Sequence, residues 1–283
     1  MKLFIDSADY EEIKQAYDWG IADGVTTNPS LMKKAVSKMK TNWNDYIKKI
    51  LRRAKGTPVS LEVTSTDATG MIAEGKQLYK IFNKVAKNVV IKIPVNPALK
   101  EKDSTHFDGI TAIRALTRSK IPVNCTLVFT PEQALLAAKA GASFVSPFAG
   151  RIDDLLREDC GTKFKKWDYY PAQGHAGEKI VYNDNGIISG IDLVDKCVRV
   201  LKQYNMNTQV LAASVRNVRQ VRESAIVGAD IATIPLTVMK DLIAHPKTFD
   251  GMAKFNKDVV VDYAKLTHKE SLSRRLGVSV KWK

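Results

Sequence analysis

A chain of 283 residues, 45% apolar and 26% charged, has ordinary globular composition, which excludes disordered, collagen-like and fibrous classes. Its 44 basic and 30 acidic residues leave a formal charge of +14, the one unusual bulk property. No apolar run approaches the roughly 18 residues of a membrane helix, and Asp6 breaks the apolar stretch that a signal peptide needs, so a soluble, untargeted, cytoplasmic protein is expected.

Short β-rich runs alternate with helical stretches along the chain. The strands expected, in order, are Leu3 to Asp6, Gly24 to Thr27, Val59 to Thr64, Val89 to Val95, Val123 to Val128, Phe144 to Pro147, Val210 to Ser214 and Ile231 to Ile234. Helix starts are legible between them. Asp9 precedes Tyr10, Asn28-Pro29-Ser30 precedes Leu31, Thr66-Asp67 precedes Ala68, Ser104 precedes Thr105, and Thr130-Pro131-Glu132 precedes Ala134. Gly56, Gly141 and Gly228 break the chain ahead of strands. Eight strand-then-helix units without a break in composition predict a single closed (β/α)8 barrel over residues 1–262, with a doubly wound open sheet as the alternative.

Two stretches stand apart from this rhythm. From about Arg157 to Gly190 the chain has no sustained period and carries Trp167, Tyr169, Tyr170, Pro171 and the turn Asn183-Asp184-Asn185-Gly186. It reads as an insertion after the sixth strand, on the face where barrels keep their sites. Residues 263–283 form a basic tail with Lys265, Lys269, Arg274, Arg275, Lys281 and Lys283. A second basic stretch, Lys33 to Lys55, holds nine Lys or Arg and one acid, Asp45. Such clusters suit nucleic acid or a membrane surface, yet Leu31, Met32, Ala35, Trp43, Ile47 and Ile50 keep helical spacing, as on an amphipathic helix with a solvated face. Neither nucleic acid nor membrane is therefore the expected partner; a basic surface also attracts phosphorylated metabolites. Cys125, Cys160 and Cys197 are odd in number and lack metal spacing, which argues against a disulfide framework or zinc site. His106, His245 and His268 show no ligand spacing, and His175 reads as a surface loop residue.

The chemistry-bearing residues begin with Lys92, set in Val89-Val90-Ile91-Lys92-Ile93-Pro94-Val95. An apolar strand disfavours the charged form of a lysine and leaves a nucleophilic amine, as imine chemistry requires. The alternatives are a buried structural ion pair or an edge lysine turned to solvent. Residues two apart share a strand face, and the polar exceptions align. Asp6, Glu62, Lys92, Asn124, Thr126, Ser146 and Ser214 are expected to converge inside the barrel, costly unless they form a site. Arg151 and Arg216 stand just past the sixth and seventh strands, where their forked donors can grip a phosphate.

These residues resemble the transaldolase and fructose-6-phosphate aldolase family. Val25-Thr26-Thr27-Asn28-Pro29-Ser30-Leu31 resembles its signature after the second strand, Val90-Ile91-Lys92-Ile93-Pro94 its imine-forming strand, and Ala212-Ala213-Ser214-Val215-Arg216 its phosphate strand, with similarity from Asp6 to about Asp258 apart from the insertion and the basic tail. The resemblance implies a (β/α)8 barrel, no metal or organic cofactor, a covalent imine at Lys92 and a place in the pentose phosphate pathway. It implies Glu62 as proton donor through a water held with Thr126 and Asp6 as base. Thr26, Asn28, Asn124, Ser146 and Phe148 are expected around the substrate, with Arg151, Ser214 and Arg216 at its phosphate. Sugar phosphates are the expected ligands and a homo-oligomer the expected assembly. Transaldolases carry Glu and Phe where the aldolase branch carries Gln and Tyr; Glu62 and Phe148 point to the transferase.

Overall fold

A computed structural model describes residues 1–36, 42–159, 161–175 and 184–260. In chain order it contains β1 (Lys2–Asp6), α1 (Tyr10–Asp18), β2 (Gly24–Thr26), α2 (Pro29–Val36), α3 (Trp43–Arg53), β3 (Val59–Glu62), α4 (Ala68–Ala86), β4 (Val89–Pro94), α5 (Asp108–Arg118), β5 (Val123–Val128), α6 (Pro131–Lys139), β6 (Phe144–Pro147), α7 (Ala149–Asp159), α8 (Gly190–Gln203), β7 (Gln209–Ala212), α9 (Val218–Ile226), β8 (Ile231–Ile234), α10 (Leu236–Asp241) and α11 (Pro246–Lys257). The eight strands pair in sequence order, all parallel, and β8 returns to β1, so the sheet is a closed barrel. Helices lie around it, as the alternating pattern predicts, and the open-sheet alternative is excluded. Two compact units are present: Met1–Met239 and a second one from Lys240 onward. Within the second, α11 begins at Pro246 behind an N-cap at His245.

Most expected helix starts are real caps. Asp9, Asp67 and Thr130 accept the backbone N–H of Glu11, Gly70 and Gln133, and Thr130 with Gln133 completes a capping box. Asn28 Oδ1 accepts from Leu31 N at 2.9 Å. Ser104 is a correction: the fifth helix starts at Asp108 behind Phe107, whose N-cap makes no side-chain bond. Gly56, Gly141 and Gly228 have φ of +88°, +98° and +83°, the left-handed backbone that glycine adopts without strain. The basic stretch forms two helices, α2 and α3, rather than one; residues 37–41 between them, with Lys38 and Lys40, lie outside the described residues. Lys48 pairs with Asp45, Arg53 with Asp18, and Lys49 sits 3.6 Å over the Tyr10 ring, all at the surface.

Register puts alternate residues inside the barrel. Opposed pairs run Asp6↔Thr26, Thr26↔Ser60, Glu62↔Lys92, Lys92↔Asn124 and Pro94↔Thr126. Phe4, Leu211, Ala213 and Ile231 form a buried cluster against which Phe144 and Phe148 pack. Each large apolar side chain buried here contributes about 1.5–3 kcal/mol. Gly24 leaves room for one of them: a β-carbon there would stand 2.6 Å from the Phe4 ring. Asp6 and Glu62 end their strands, so these polar side chains gather toward the C-terminal rim, where barrels of this type hold their chemistry.

The insertion is anchored by Arg157, 6% exposed at the end of α7. Its guanidinium lies over the rings of Phe164 and Tyr170 and donates to Asp168 O at 2.9 Å. The Asn185-Gly186 turn has φ of +47° and +84°, the geometry of a tight hairpin, closed by Asp184 and Ile187. Cys125 and Cys197 are free and buried, and burial pushes the Cys197 thiol up to about 12. Cys160, Asn183, His268 and the tail 263–283 lie outside the described residues. No helix among the described residues is long and apolar enough to cross a membrane.

Candidate active site

Lys92 is 5% exposed and points into the barrel from the middle of β4. A closed barrel has no edge strand, so the solvent-facing alternative does not hold. A carboxylate partner is present: Nζ lies 2.9 Å from Glu62 Oε2 on the adjacent strand, and it donates to Thr27 O at 3.2 Å. The carboxylate meets the ammonium by distance without the alignment of a hydrogen bond, which leaves Glu62 Oε2 able to accept from another donor. Glu62 keeps 14% of its side chain exposed, so the pair is reached from the rim.

Asp6 closes β1 on the same rim. Burial raises its pKa above the ordinary carboxylate value; a hydrogen bond from Thr26 and the charges of Lys92 and Lys166 pull it partly back. Thr26 Oγ1 donates to Asp6 Oδ1 at 2.8 Å and touches Thr233 Oγ1 at 2.5 Å. A hydroxyl has one proton, so if Thr26 gives it to Asp6, Thr233 must be the donor in the second bond. The chain Thr233 to Thr26 to Asp6 thus aims one carboxylate from three strands. Thr233 is absent from the site expected from sequence, yet it is the polar exception of Ile231-Ala232-Thr233-Ile234, the same signal that singled out the others.

On the far side Ser146 Oγ donates to Asn124 Oδ1 at 2.7 Å, and Asn124 Nδ2 donates to Ser60 Oγ at 3.2 Å. Both amide ends of Asn124 are therefore fixed. Thr126 Oγ1 is buried without a hydrogen-bond partner among the described residues, which costs about 1–3 kcal/mol. The next residue, Leu127, has φ of +57° at the point where β5 and β6 shift register. Backbone strain at a non-glycine residue clusters at functional rims.

Six of the seven expected side chains share the inner face: Asp6, Glu62, Lys92, Asn124, Thr126 and Ser146. Ser214 is the exception. Leu211 and Ala213 hold the interior phase of β7, so alternation leaves Ser214 one step out, and its φ of +57° turns the chain past the strand end. A β-carbon on Gly150 would stand 2.3 Å from Ser214 O and 2.7 Å from Arg216 Nε, so only glycine lets these loops meet. Phe148 packs against Phe129 with ring centroids 5.7 Å apart and the planes tilted by 59°, and the Arg151 guanidinium lies 5.3 Å over its ring. Arg151 is exposed at the start of α7.

Arg216 is differently engaged from Arg151. Its two terminal nitrogens meet the two carboxylate oxygens of Asp154 at 2.5 and 2.6 Å, a bidentate pair that sequence spacing did not reveal, while Nε is buried without a partner. The loop is braced further by Asp153, which accepts from Gly190 N and Gln220 Nε2, each at 2.7 Å; burial pushes its carboxyl up to about 6. A cavity of about 620 Å³ lies elsewhere, where β6 and β7 begin, lined by Ser143, Phe144, Thr208 and Gln209, and it holds none of these groups.

An amine, two carboxylates and a set of hydroxyl and amide groups on one barrel rim can form and turn over a covalent adduct with a carbonyl compound. The family model described as "Transaldolase/Fructose-6-phosphate aldolase" matches residues 3–275. A protein named "Probable transaldolase" from Desulfatibacillum aliphaticivorans is 44% identical over 258 residues, 91% of this chain and 97% of that protein. One of the same name from Aquifex aeolicus (strain VF5) is 42% identical over 258 residues, 91% of this chain and 96% of that one. Another from Thermoplasma acidophilum is 40% identical over 259 residues, covering 91% and 95%. With the barrel, the lysine strand and these matches together, the chain belongs to the transaldolase/fructose-6-phosphate aldolase family.

Proposed function

We propose that the protein is a transaldolase that moves a dihydroxyacetone unit from a ketose phosphate, fructose 6-phosphate or sedoheptulose 7-phosphate, to glyceraldehyde 3-phosphate or erythrose 4-phosphate. The observation that carries this reading is Lys92 Nζ, buried inside the barrel 2.9 Å from Glu62, with its charge acting on the Asp6 carboxyl. Such a transfer would serve the pentose phosphate pathway in the cytoplasm and needs neither metal nor organic cofactor.

Glu62 is positioned to take the proton that frees the Lys92 amine, and the amine attacks the ketose C2. Loss of water from the carbinolamine needs an acid; Glu62, acting through a water shared with the Thr126 hydroxyl, supplies it. Asp6 then removes the C4 hydroxyl proton, the C3–C4 bond breaks, and the protonated imine takes the electron pair. An aldose phosphate leaves and a three-carbon enamine stays on Lys92. The acceptor aldehyde adds to that enamine, Asp6 returns the proton, and hydrolysis of the imine releases the new ketose. Asn28, Asn124 and Ser146 would hold hydroxyls while Arg151, Ser214 and Arg216 orient the phosphate end, and orientation lowers the barrier to both steps.

Borohydride reduction in the presence of fructose 6-phosphate, followed by peptide mapping, should place a three-carbon adduct on Lys92; an adduct on another lysine, or none, would overturn the reading. A coupled assay with and without erythrose 4-phosphate separates the transferase from a fructose-6-phosphate aldolase, since only the transferase depends on the acceptor. Salt-dependent binding of DNA or RNA that survived Lys92→Ala would instead favour a nucleic-acid-binding protein.

A further inference from the structure

The phosphate end of this site has a shortage of free positive charge. A phosphate dianion is best matched by two or more cationic donors. Of the two arginines at the rim, Arg216 already has both terminal nitrogens on Asp154, leaving only Nε for a ligand. Arg151 is the one that makes no ion pair among the described residues.

The insertion brings a further cation to the same place. Residues 165–168 close a turn on themselves: Asp168 N donates to Lys165 O at 2.9 Å, and Lys165 N donates to Asp168 Oδ2 at 2.7 Å. The tip of that turn is Lys166-Trp167, and it is tied to the loop after β7. Arg216 Nη1 donates to Lys166 O at 3.3 Å, and Asn217 Nδ2 donates to Trp167 O at 3.4 Å. Arg157 fixes the end of the turn through Asp168 O. Backbone carbonyls make these ties, so the side chains at the tip remain exposed, Trp167 to 65%. The Lys166 ammonium has no ion-pair partner among the described residues, yet its charge is felt by the carboxyl of Asp6. The Lys166 backbone carbonyl lies against the fork of Arg216, so its exposed side chain starts beside the loop that follows β7.

We infer that Lys166, carried on a turn that Arg216 and Asn217 hold against the loop after β7, is a substrate-binding residue that pairs with the sugar phosphate beside Arg151. The inference rests on the transaldolase reading and adds a residue to it. It also gives the insertion a role: the segment between α7 and α8 supplies a donor that the strand ends lack. Arg216 becomes as much a strut as a ligand, because its Asp154 pair orients the fork that holds the Lys166 carbonyl.

Steady-state transfer should be measured with glyceraldehyde 3-phosphate and with unphosphorylated glyceraldehyde as acceptors, for the wild type, Lys166→Met and Lys163→Met. Loss of one charge-assisted contact to phosphate should lower the preference of Lys166→Met for the phosphorylated acceptor about tenfold, expressed mainly in KM. Lys163→Met, which removes the same charge from the same segment, should lower it much less. An unchanged preference, or an equal fall in both variants, would overturn the inference while leaving the transferase reading intact. If the wild type transfers no three-carbon unit, that reading fails by itself; calorimetric titration with inorganic phosphate then tests Lys166 directly. Weaker phosphate binding by Lys166→Met than by Lys163→Met supports the site, and equal binding by the two overturns it.

Discussion

Lys92 and Glu62 face each other across the β3–β4 ladder, with Nζ and Oε2 2.9 Å apart. A buried pair of this kind contributes little net stability, because desolvation offsets most of the attraction. Its placement at the rim makes sense if the carboxylate exchanges protons with the lysine and with the groups that react there. Glu62→Gln keeps the shape and removes that exchange. We expect kcat to fall by about 10²- to 10³-fold while borohydride still traps fructose 6-phosphate on Lys92, more slowly. Rapid-quench measurement of adduct formation checks this, and a wild-type rate in the variant would exclude Glu62 from the proton transfers.

Asp6 must be ionised to act as a base, so activity is lost as the pH falls through its pKa. Burial raises that pKa, so the acidic limb of kcat/KM should lie above the ordinary carboxylate range. The Thr26 hydrogen bond lowers it, by stabilising the charged form. Thr26→Val should therefore shift the acidic limb upward, and Thr233→Val, acting only through Thr26, should shift it less in the same direction. The pH profiles of the two variants decide the point; a limb that stays in place in both would remove Asp6 from the base role.

Phe148 presents an apolar ring to the rim, packed on Phe129. Such a ring cannot help water protonate an enamine, so the intermediate should persist until an aldehyde arrives. Phe148→Tyr adds a hydroxyl there and should raise aldol cleavage relative to transfer, by about tenfold or more if the hydroxyl acts as an acid. Product analysis with and without acceptor measures the ratio; an unchanged ratio would count against this account of the partition.

Asp153 predicts a stability change with pH. Its carboxyl titrates at about 6 in the folded chain against 3.8 as reference, so between those values the folded state binds more protons than the unfolded one. Stability therefore falls as the pH rises through that window, by about 3 kcal/mol in total from this group, and is level on either side. Comparing urea unfolding of the wild type with that of Asp153→Asn from pH 3.5 to 7.5 isolates the effect. The difference in unfolding free energy should drift against the wild type up to about pH 6, and a flat difference would contradict the assignment.

Much of the fold was legible because its signals are local. The β5 bounds Val123–Val128, the β6 bounds Phe144–Pro147 and the β8 bounds Ile231–Ile234 agree with the runs of β-branched and apolar residues there. Helix caps at Asp9, Asp67 and Thr130 depend on a side chain and an N–H two or three positions away. Where no capping bond forms, as at Phe107, the start was misplaced. Six inward polar residues could be read from period-two alternation, whereas Ser214 was assigned to the wrong phase: β7 turns Leu211 and Ala213 inward, not Ala212 and Ser214.

The sequence by itself determined the barrel and the identity of its inward polar residues, since both follow from a repeat of two along each strand and the turn residues between strands. Only the tertiary structure decided who meets whom. Closure of the barrel puts Thr233 of β8 beside Thr26 of β2, 207 positions apart, and α7 packs so that Asp154 takes the fork of Arg216, 62 positions on. The Lys166 turn reaches Arg216 across 50 positions for the same reason. Such partners share no period or motif; they are selected by the low dielectric and fixed geometry of the folded interior, where an unpaired charge costs far more than in water.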